Sequence, residues 1–295
     1  MSDPIEIRDR QTGRIVEERV FGERSLRFLY GSAAGHALLN GLLKRPVASR
    51  VYGLMQRSPA SRRKIPRFIE SLGIDGSEAS RPLSDYRSLD DFFARELRPG
   101  ARPIDLDPAR LISPADGRVL AFDSIPATGL PVKGAAVSIS VLLGDAESAA
   151  RYAGGSAAIV RLAPADYHRF HFPDSGNAME AREIGHDLHS VHPIALRSGA
   201  PSFANKRMVS ILTSQGFGDI AIVEVGALCV GTIIQTYRPS YVERGEEKGL
   251  FRFGGSSVVL LLEAGRIRFD DDLLASTREG IEVLVRMGTR IGARP

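Results

Sequence analysis

The chain has 295 residues, enough for one large domain or two of ordinary size, and its 43% hydrophobic and 25% charged residues are typical of a globular protein. A single cysteine, Cys229, excludes a disulfide framework. The first ten residues lack the apolar core of a signal peptide, and no stretch approaches roughly 18 consecutive apolar residues. We therefore expect a protein made and kept in the cytoplasm, without a transmembrane helix.

The basic charge is concentrated near the start of the chain. The net charge is only +4, yet residues 24–67 carry ten Lys or Arg and no Asp or Glu. Leucines at near-helical spacing run through the same segment. Two interpretations remain open, a solvated helical cap on the core and a helical module that lies on an anionic bilayer. Nucleic acid is not expected as a partner, because aromatic residues are few and no binding motif occurs.

The remaining pattern predicts two regions. Residues 1–20 suggest a small hairpin around Thr12-Gly13, to which we assign no chemistry. A short helix is expected from a cap near Ser88 to Pro99-Gly100. The extended residues 102–104 then mark a hinge, so we predict a helical region over 1–104 and a second domain over 105–295.

The second region has the pattern of a β domain. From Leu111 to Leu262, short apolar runs are separated by Gly, Pro and Asp, which predicts mainly antiparallel strands. Residues 273–291 predict a closing helix or strand pair. The expected fold class is α+β, with an N-terminal helical membrane-docking segment followed by a mainly antiparallel β catalytic domain.

The final apolar run begins in an unusual way. Gly254-Gly255-Ser256-Ser257 precede a continuous aliphatic stretch that ends at Leu262 and reads as a buried strand. Glycine before serine leaves little bulk around the peptide carbonyl. A plain turn leading into a strand also accounts for these four residues.

Two further segments supply an acid and a base. Asp116 lies in the turn Ser113-Pro114-Ala115-Asp116-Gly117, and Asp166, His168 and His171 fall within six residues. Asp116, His171 and Ser256 together have the composition of a nucleophile triad, as orienter, base and nucleophile. The serine lacks a Gly-x-Ser-x-Gly elbow, which favours attack on its own Gly255 peptide bond over attack on an outside ester.

A metal site is not expected. Five of the six histidines fall within 25 residues, and they are His168, His171, His186, His189 and His192. No cysteine joins them, and their spacing matches no zinc motif.

In the order and spacing of its motifs, the chain resembles the phosphatidylserine decarboxylase proenzymes from about residue 24 to its end. The motifs that carry the resemblance are Phe92-Phe93-Ala94-Arg95-Glu96-Leu97 with Arg98-Pro99-Gly100-Ala101-Arg102-Pro103, Ser113-Pro114-Ala115-Asp116-Gly117, Asp166-Tyr167-His168-Arg169-Phe170-His171, Phe203-Ala204-Asn205-Lys206-Arg207, Val225-Gly226-Ala227, and Gly245-Glu246-Glu247-Lys248-Gly249 leading into Gly254-Gly255-Ser256-Ser257.

The resemblance implies autocatalytic cleavage between Gly255 and Ser256, into a β chain of residues 1–255 and an α chain of residues 256–295. Ser256 would become a covalent pyruvoyl group, with Asp116 and His171 completing the self-cleavage triad. His168 is linked to decarboxylation as the proton donor, and Asp166 supports the histidines.

The implied reaction converts phosphatidylserine to phosphatidylethanolamine in phospholipid biosynthesis. Loss of CO2 leaves a carbanion that no ordinary side chain delocalises, whereas a pyruvoyl ketone does so after forming a Schiff base with the amine, without pyridoxal phosphate or metal. Because the substrate lies in a bilayer, the resemblance implies a peripheral enzyme on the cytoplasmic side of the cell membrane, docked by its basic segment. It also implies a β/α heterodimer after cleavage and a dimer of that unit.

Two positions depart from the family's pattern. Ser257 stands where a threonine is usual, which keeps the hydroxyl and is expected at most to slow processing. His192 stands where an asparagine is more usual, and no role is assigned to it.

Two other classes of function compete with this interpretation. A serine hydrolase built on Asp116, His171 and Ser256 would keep the chain intact and react with a serine-directed phosphonate. A non-catalytic lipid-binding β domain would also stay intact and would bind anionic vesicles without turnover.

Overall fold

The computed structural model describes residues 5–18, 53–126, 129–132, 135–185, 205–226, 232–253 and 256–295, together with the single residues 28, 32 and 35. His186, His189 and His192 lie outside the described residues, as do Cys229, Gly254 and Gly255. So does most of the basic segment 24–67.

The described chain is mostly β structure. The strands are β1 Glu6–Asp9, β2 Ile15–Glu17, β3 Arg110–Ile112, β4 Gly117–Phe122, β5 Leu130–Val132, β6 Ala135–Val137, β7 Ser156–Leu162, β8 Arg169–His171, β9 Gly176–Ala178, β10 Arg182–Ile184, β11 Arg207–Ser214, β12 Gly218–Gly226, β13 Ile233–Gln235, β14 Ser240–Val242, β15 Glu247–Phe251, β16 Ser256–Leu262, β17 Arg268–Phe269, β18 Glu282–Val285 and β19 Arg290–Ala293. The α-helices are α1 Ile65–Leu72, α2 Leu89–Phe93, α3 Ile139–Leu143, α4 Ala146–Arg151 and α5 Asp271–Arg278. Residues 53–57 are also helical, and 3-10 turns span Pro59–Lys64, Gly76–Glu78 and Leu83–Asp85.

An 11-stranded sheet forms the centre of the fold. Its order is β14-β9-β11-β12-β16-β7-β4-β18-β1-β2, with β10 paired to β11. Only β1 and β18 run parallel among the described pairs, so the predicted mainly antiparallel arrangement is confirmed. Smaller sheets have the orders β13-β15-β8 and β17-β19-β3, and β5 pairs with β6.

The central strand β16 is buried on both faces. Val258 and Leu260 pack into one apolar cluster, and Val259 and Leu261 pack into a second cluster on the opposite face. A strand covered on both sides needs no polar alternation, which explains why its sequence is a continuous aliphatic run. The prediction of a buried strand is therefore confirmed, and Ser256 is its first residue.

The expectation that the chain opens with a helical segment is wrong, whereas the small hairpin expected around Thr12-Gly13 is confirmed. Residues 5–18 form the hairpin β1–β2, and β1 extends the central sheet by pairing with β18. Ile7 of β1 and the preceding Ile5 are buried, and the buried Glu18 forms ion pairs with arginines of the central sheet. The division at residue 104 stays a prediction.

The described helices of the N-terminal region pack over the residues that precede Ser256. Ile65 and Phe68 of α1 join Phe92 and Phe93 of α2 in a buried cluster that also contains Phe253. Ser88 caps α2 as predicted, by accepting a hydrogen bond from the Asp91 amide. The helix ends at Phe93 and not at Pro99-Gly100, because the chain then turns to form a β-bridge between Leu97 and Ala79. None of the described helices has the length and apolar character needed to cross a membrane.

Candidate active site

Ser256 lies at the entrance of the central strand and is fully buried. It pairs with Leu162 of β7 on one side and with Gly226 of β12 on the other. The buried Asn205 donates to the Gly226 carbonyl at 2.7 Å and so fixes the neighbouring strand. Among the described residues the Ser256 hydroxyl has no hydrogen-bond partner. A buried hydroxyl without a partner is unfavourable, and the hydroxyls of Ser257 and Tyr152 share this state among the described residues. What distinguishes Ser256 is its position directly after Gly255, at the first residue of the strand.

Asp166 holds the loop that joins β7 to β8. Its carboxylate accepts a hydrogen bond from the Ala163 amide at 2.6 Å and forms an ion pair with Arg118. Arg118 in turn contacts Glu18 at 2.6 Å. Burial raises the pKa of Asp166, while Arg118 opposes that shift. The carboxylate thus supports the loop, and the Asp166 main-chain carbonyl contacts His168.

His168 is enclosed by aromatic and main-chain groups. Its Nδ1 lies 3.0 Å from the Asp166 carbonyl oxygen, and its ring packs 3.8 Å from that of Phe93, measured between centroids. Phe93 also packs against Phe253, so α2 links His168 to the segment before Ser256. Arg95 donates to the carbonyls of Ala165 and Asp166, both at 3.2 Å, and thereby braces the same loop.

The basic nitrogen of His171 is Nε2, which contacts the Tyr167 hydroxyl and makes no hydrogen bond to Ser256 among the described residues. Its Nδ1 lies 2.9 Å from the Gly245 carbonyl oxygen, which only accepts hydrogen bonds, so Nδ1 carries the proton in the neutral ring. Its Nε2 then bears the lone pair and lies 3.2 Å from the Tyr167 hydroxyl. Burial lowers the pKa of His171, against smaller opposing effects of the Gly245 carbonyl and nearby carboxylates. The imidazole is consequently neutral, and able to accept a proton, near pH 7.

Asp116 lies near His171, but the two side chains make no hydrogen bond to each other among the described residues. Arg102 binds the Asp116 carboxylate with Nε at 2.9 Å and Nη2 at 2.6 Å, and the Met287 amide donates to it at 2.8 Å. The His171 amide donates to the Pro114 carbonyl at 2.7 Å, which places the two turns in contact. The tautomer that Asp116 was expected to hold is held here by Gly245, and Asp116 acts on the ring as a nearby charge that favours its protonated form.

A buried ionic network next to the site was missed by sequence reasoning. Lys248 and Glu224 are both fully buried, with Nζ 2.7 Å from Oε1. Gln235 bonds both partners, at 2.9 Å to Lys248 and 3.0 Å to Glu224. Lys248 occupies the bulge between the β15 residues that pair with His171 and Phe170. The available signal was the single charged residue Glu224 within the otherwise apolar residues 220–226 of β12.

Metal binding finds no support in the part of the chain that is described. No group of three or more His, Cys, Asp or Glu residues there is arranged to hold an ion. His168 and His171 instead make the main-chain and aromatic contacts given above.

A family model described as Phosphatidylserine decarboxylase matches residues 89–293, which is more than half of the chain. The chain belongs to the phosphatidylserine decarboxylase family. The match includes Asp116, His168, His171 and Ser256. The family assignment made from the motifs is therefore confirmed.

Full-length relatives carry the same name. The chain is 42% identical to the phosphatidylserine decarboxylase proenzyme of Fusobacterium nucleatum, over 98% of both chains. It is 43% identical to the proenzyme of Clostridium perfringens over 98% of this chain and 99% of that one. A Chlamydia trachomatis proenzyme is 44% identical over 97% of this chain and 96% of its own.

Proposed function

We propose that this chain is a phosphatidylserine decarboxylase proenzyme that cleaves itself between Gly255 and Ser256. The observation that carries the proposal is the buried Ser256 hydroxyl, without a partner among the described residues, at the entrance of the central strand. Family membership and relatives named as proenzymes over nearly the full chain support the same activity.

Self-cleavage uses groups that the chain itself supplies. Once His171 Nε2 contacts Ser256, it accepts the Oγ proton and Oγ attacks the Gly255 carbonyl carbon. The Gly255–Ser256 C–N bond then breaks as His171 returns the proton to the Ser256 nitrogen, which replaces the amide by an ester. Elimination from residue 256 then removes its Cα proton, breaks the Cβ–O bond of the ester and releases the 1–255 chain as a carboxylate. Water converts the remaining dehydroalanine to a pyruvoyl group and ammonia. Asp116 favours the imidazolium that forms on His171.

The burial of Ser256 fits a covalent carbonyl group at this position. A pyruvoyl ketone there would condense with the substrate amine and accept the electrons that remain when CO2 leaves. The apolar clusters on both faces of β16 exclude water, and loss of a carboxylate's charge is favoured in such surroundings. His168, held by Phe93 and the Asp166 carbonyl, is the residue that returns a proton to the substrate Cα.

The two products of cleavage stay together as a β/α heterodimer. The strand Ser256–Leu262 is hydrogen-bonded to β12 on one side and to β7 on the other, and both of these strands belong to the 1–255 chain. Removal of this strand would expose the full apolar core on both faces of the sheet. A dimer of the heterodimer remains a prediction.

The enzyme docks peripherally on the cytoplasmic side of the cell membrane. In the described part of the basic segment, Leu54 and Met55 are 63% and 58% exposed and lie close in sequence to Arg57. Exposed apolar side chains next to cationic ones can bind an anionic bilayer, because the apolar groups insert and the cations attract the anionic headgroups. Binding to vesicles that contain phosphatidylserine should weaken as salt rises, and binding that is indifferent to salt would contradict electrostatic docking.

Intact mass under denaturing conditions tests the proposal directly. We expect two chains that meet at Gly255 and Ser256, with the smaller one lighter by one ammonia than a serine terminus would make it. Ser256→Ala should leave one uncut, inactive chain, and His168→Ala should still cleave but should decarboxylate poorly. Normal cleavage in Ser256→Ala would end the assignment, and an intact wild-type chain labelled by a serine-directed phosphonate would favour the hydrolase.

A further inference from the structure

An open cleft of about 590 Å³ lies beside the segment that leads into Ser256. Four arginines line it, contributed by the N-terminal region and by the end of β15, and they are Arg57, Arg81, Arg87 and Arg252. Two aspartates, Asp90 and Asp91, also line it, so the side chains around the cleft carry a formal charge of +2. The self-cleavage groups Asp116, His171 and Ser256 are not among its lining residues.

The four arginines are not equivalent. Arg57 and Arg252 both contact the buried Asp90, at 3.4 and 3.1 Å, and Arg81 pairs with Asp91 at 3.0 Å. Arg87 is exposed and has no carboxylate within ion-pair distance among the described residues. Its guanidinium is therefore available to an anion from solution, and the shared Asp90 leaves a further positive charge uncompensated.

The cleft is tied to the reactive serine through the main chain. The Asp90 carboxylate that binds Arg252 also accepts a hydrogen bond from the Phe253 amide at 3.1 Å. Arg252 precedes Ser256 by four residues, so their Cα atoms are at most about 14 Å apart. The cleft is thus joined to residue 256 by a short stretch of main chain.

Exposed apolar side chains lie close in sequence to two of the lining arginines. Leu54 and Met55 lie three and two residues before Arg57, and Leu83 lies two residues after Arg81. All three are exposed, at 63%, 58% and 39%. A ligand with both a phosphate and an acyl chain would match this combination, because guanidinium groups bind phosphate oxygens in a bidentate manner while acyl tails favour exposed apolar side chains.

We propose that this arginine cleft binds the phosphodiester group of the lipid substrate and so sets the position of the serine headgroup at residue 256. The inference rests on the proposed decarboxylase function. In phosphatidylserine the phosphorus is three bonds from the Cα that loses CO2, so a phosphate fixed in the cleft restricts where that carbon lies. Arg87 is the member of the cleft that makes the most direct contact with the ligand, since no other described side chain competes for it.

The test measures decarboxylation of dioctanoyl phosphatidylserine in micelles of a non-ionic detergent. Arg87→Gln should raise KM about five- to tenfold, as expected for one charge-assisted hydrogen bond at a partly exposed site, while kcat changes less. The KM of Arg87→Lys should lie between those of the wild type and Arg87→Gln, because lysine keeps the charge and loses the planar guanidinium. Inorganic phosphate should compete with the substrate in the wild type and compete less well in Arg87→Gln.

The matched control is Arg278→Gln, which removes the same charge from an exposed position on α5. It should leave KM unchanged, and intact mass should show complete self-cleavage in each of these variants. An unchanged KM for Arg87→Gln would overturn the inference. So would a defect seen only on anionic vesicles and absent in neutral micelles, because Arg87 would then contact the membrane surface and not the substrate. A wild-type protein that neither cleaves nor turns over substrate would instead overturn the proposed function, and the inference with it.

Discussion

Lys248→Met removes one charge from an ion pair that has no exposure to solvent. Lys248 and Glu224 are both fully buried, and three aromatic rings surround the ammonium at 4.9 to 5.9 Å. Methionine is similar in length and is apolar, so the volume is largely kept. The Glu224 carboxylate would remain in the same enclosure with Gln235 as its side-chain donor.

The magnitude follows from this burial. Burial lowers the pKa of Lys248 and raises that of Glu224, so the loss of solvation opposes the attraction between the two charges. Removal of one partner of such a pair typically lowers the free energy of unfolding by about 3–5 kcal/mol. Replacement of both partners, in the double variant Glu224→Leu with Lys248→Met, also removes the desolvation penalty. It should lower the free energy of unfolding by no more than about 2 kcal/mol. The single variants should therefore be strongly coupled.

Urea unfolding in a Ser256→Ala background provides the assay, because that chain is expected to stay uncut. Midpoints are compared at constant m-value. The exposed pair Arg268–Asp271 supplies the control, and Arg268→Met should change the free energy of unfolding by no more than about 0.5 kcal/mol. The reasoning fails if the double variant loses as much stability as the two single variants combined. In a chain with Ser256 intact, Lys248→Met should also slow self-cleavage, because Lys248 occupies the bulge opposite the strand of His171.

Three further predictions concern the site. The rate of self-cleavage of freshly refolded precursor should stay constant as pH falls to about 6.5 and decline only below about pH 6.5, because burial lowers the pKa of His171. A decline with its midpoint at or above about pH 6.5 would contradict the assignment of His171 as the base. Arg95→Met should lower kcat for decarboxylation about tenfold with little change in KM, since Arg95 braces the loop of His168, and an effect on KM alone would contradict a positioning role. Gly117→Ala should slow self-cleavage, because a Cβ there would lie 2.7 Å from the Arg161 carbonyl oxygen, whereas Gly53→Ala, with no atom within 4 Å, should be silent by intact mass.

The sequence was most informative where a residue's chemistry is local. The continuous aliphatic run after Ser256 predicted a buried strand, and its two-sided burial is the reason the prediction holds. Ser88 likewise identified the start of α2, because a cap depends on a side chain and an amide three residues away. The linked motifs identified the family without any structure, since their order and spacing are preserved along the chain.

Local patterns were misleading at the start of the chain. The small hairpin around Thr12-Gly13 was expected and is present. The region that contains it was nevertheless predicted to be helical as a whole, and the pairing of β1 with β18 near the other end of the sequence was not predicted. The partner that makes this hairpin part of the sheet is separated from it by most of the chain. A pattern within a few residues carries no information about such a pairing.

The partners of the site residues were decided by tertiary structure alone. A triad composition suggested that Asp116 would hold His171, whereas the fold brings Arg102 to the aspartate and the Gly245 carbonyl to the ring. Guanidinium and carbonyl groups are common, so their presence in the sequence did not predict which of them would lie within 3 Å. The sequence by itself determined the strand, the family and the candidate reacting groups, because these depend on residue type and local spacing. The hydrogen bonds that set the tautomer of His171, and the enclosed Lys248–Glu224 pair, depend on distances between strands that only the folded chain defines.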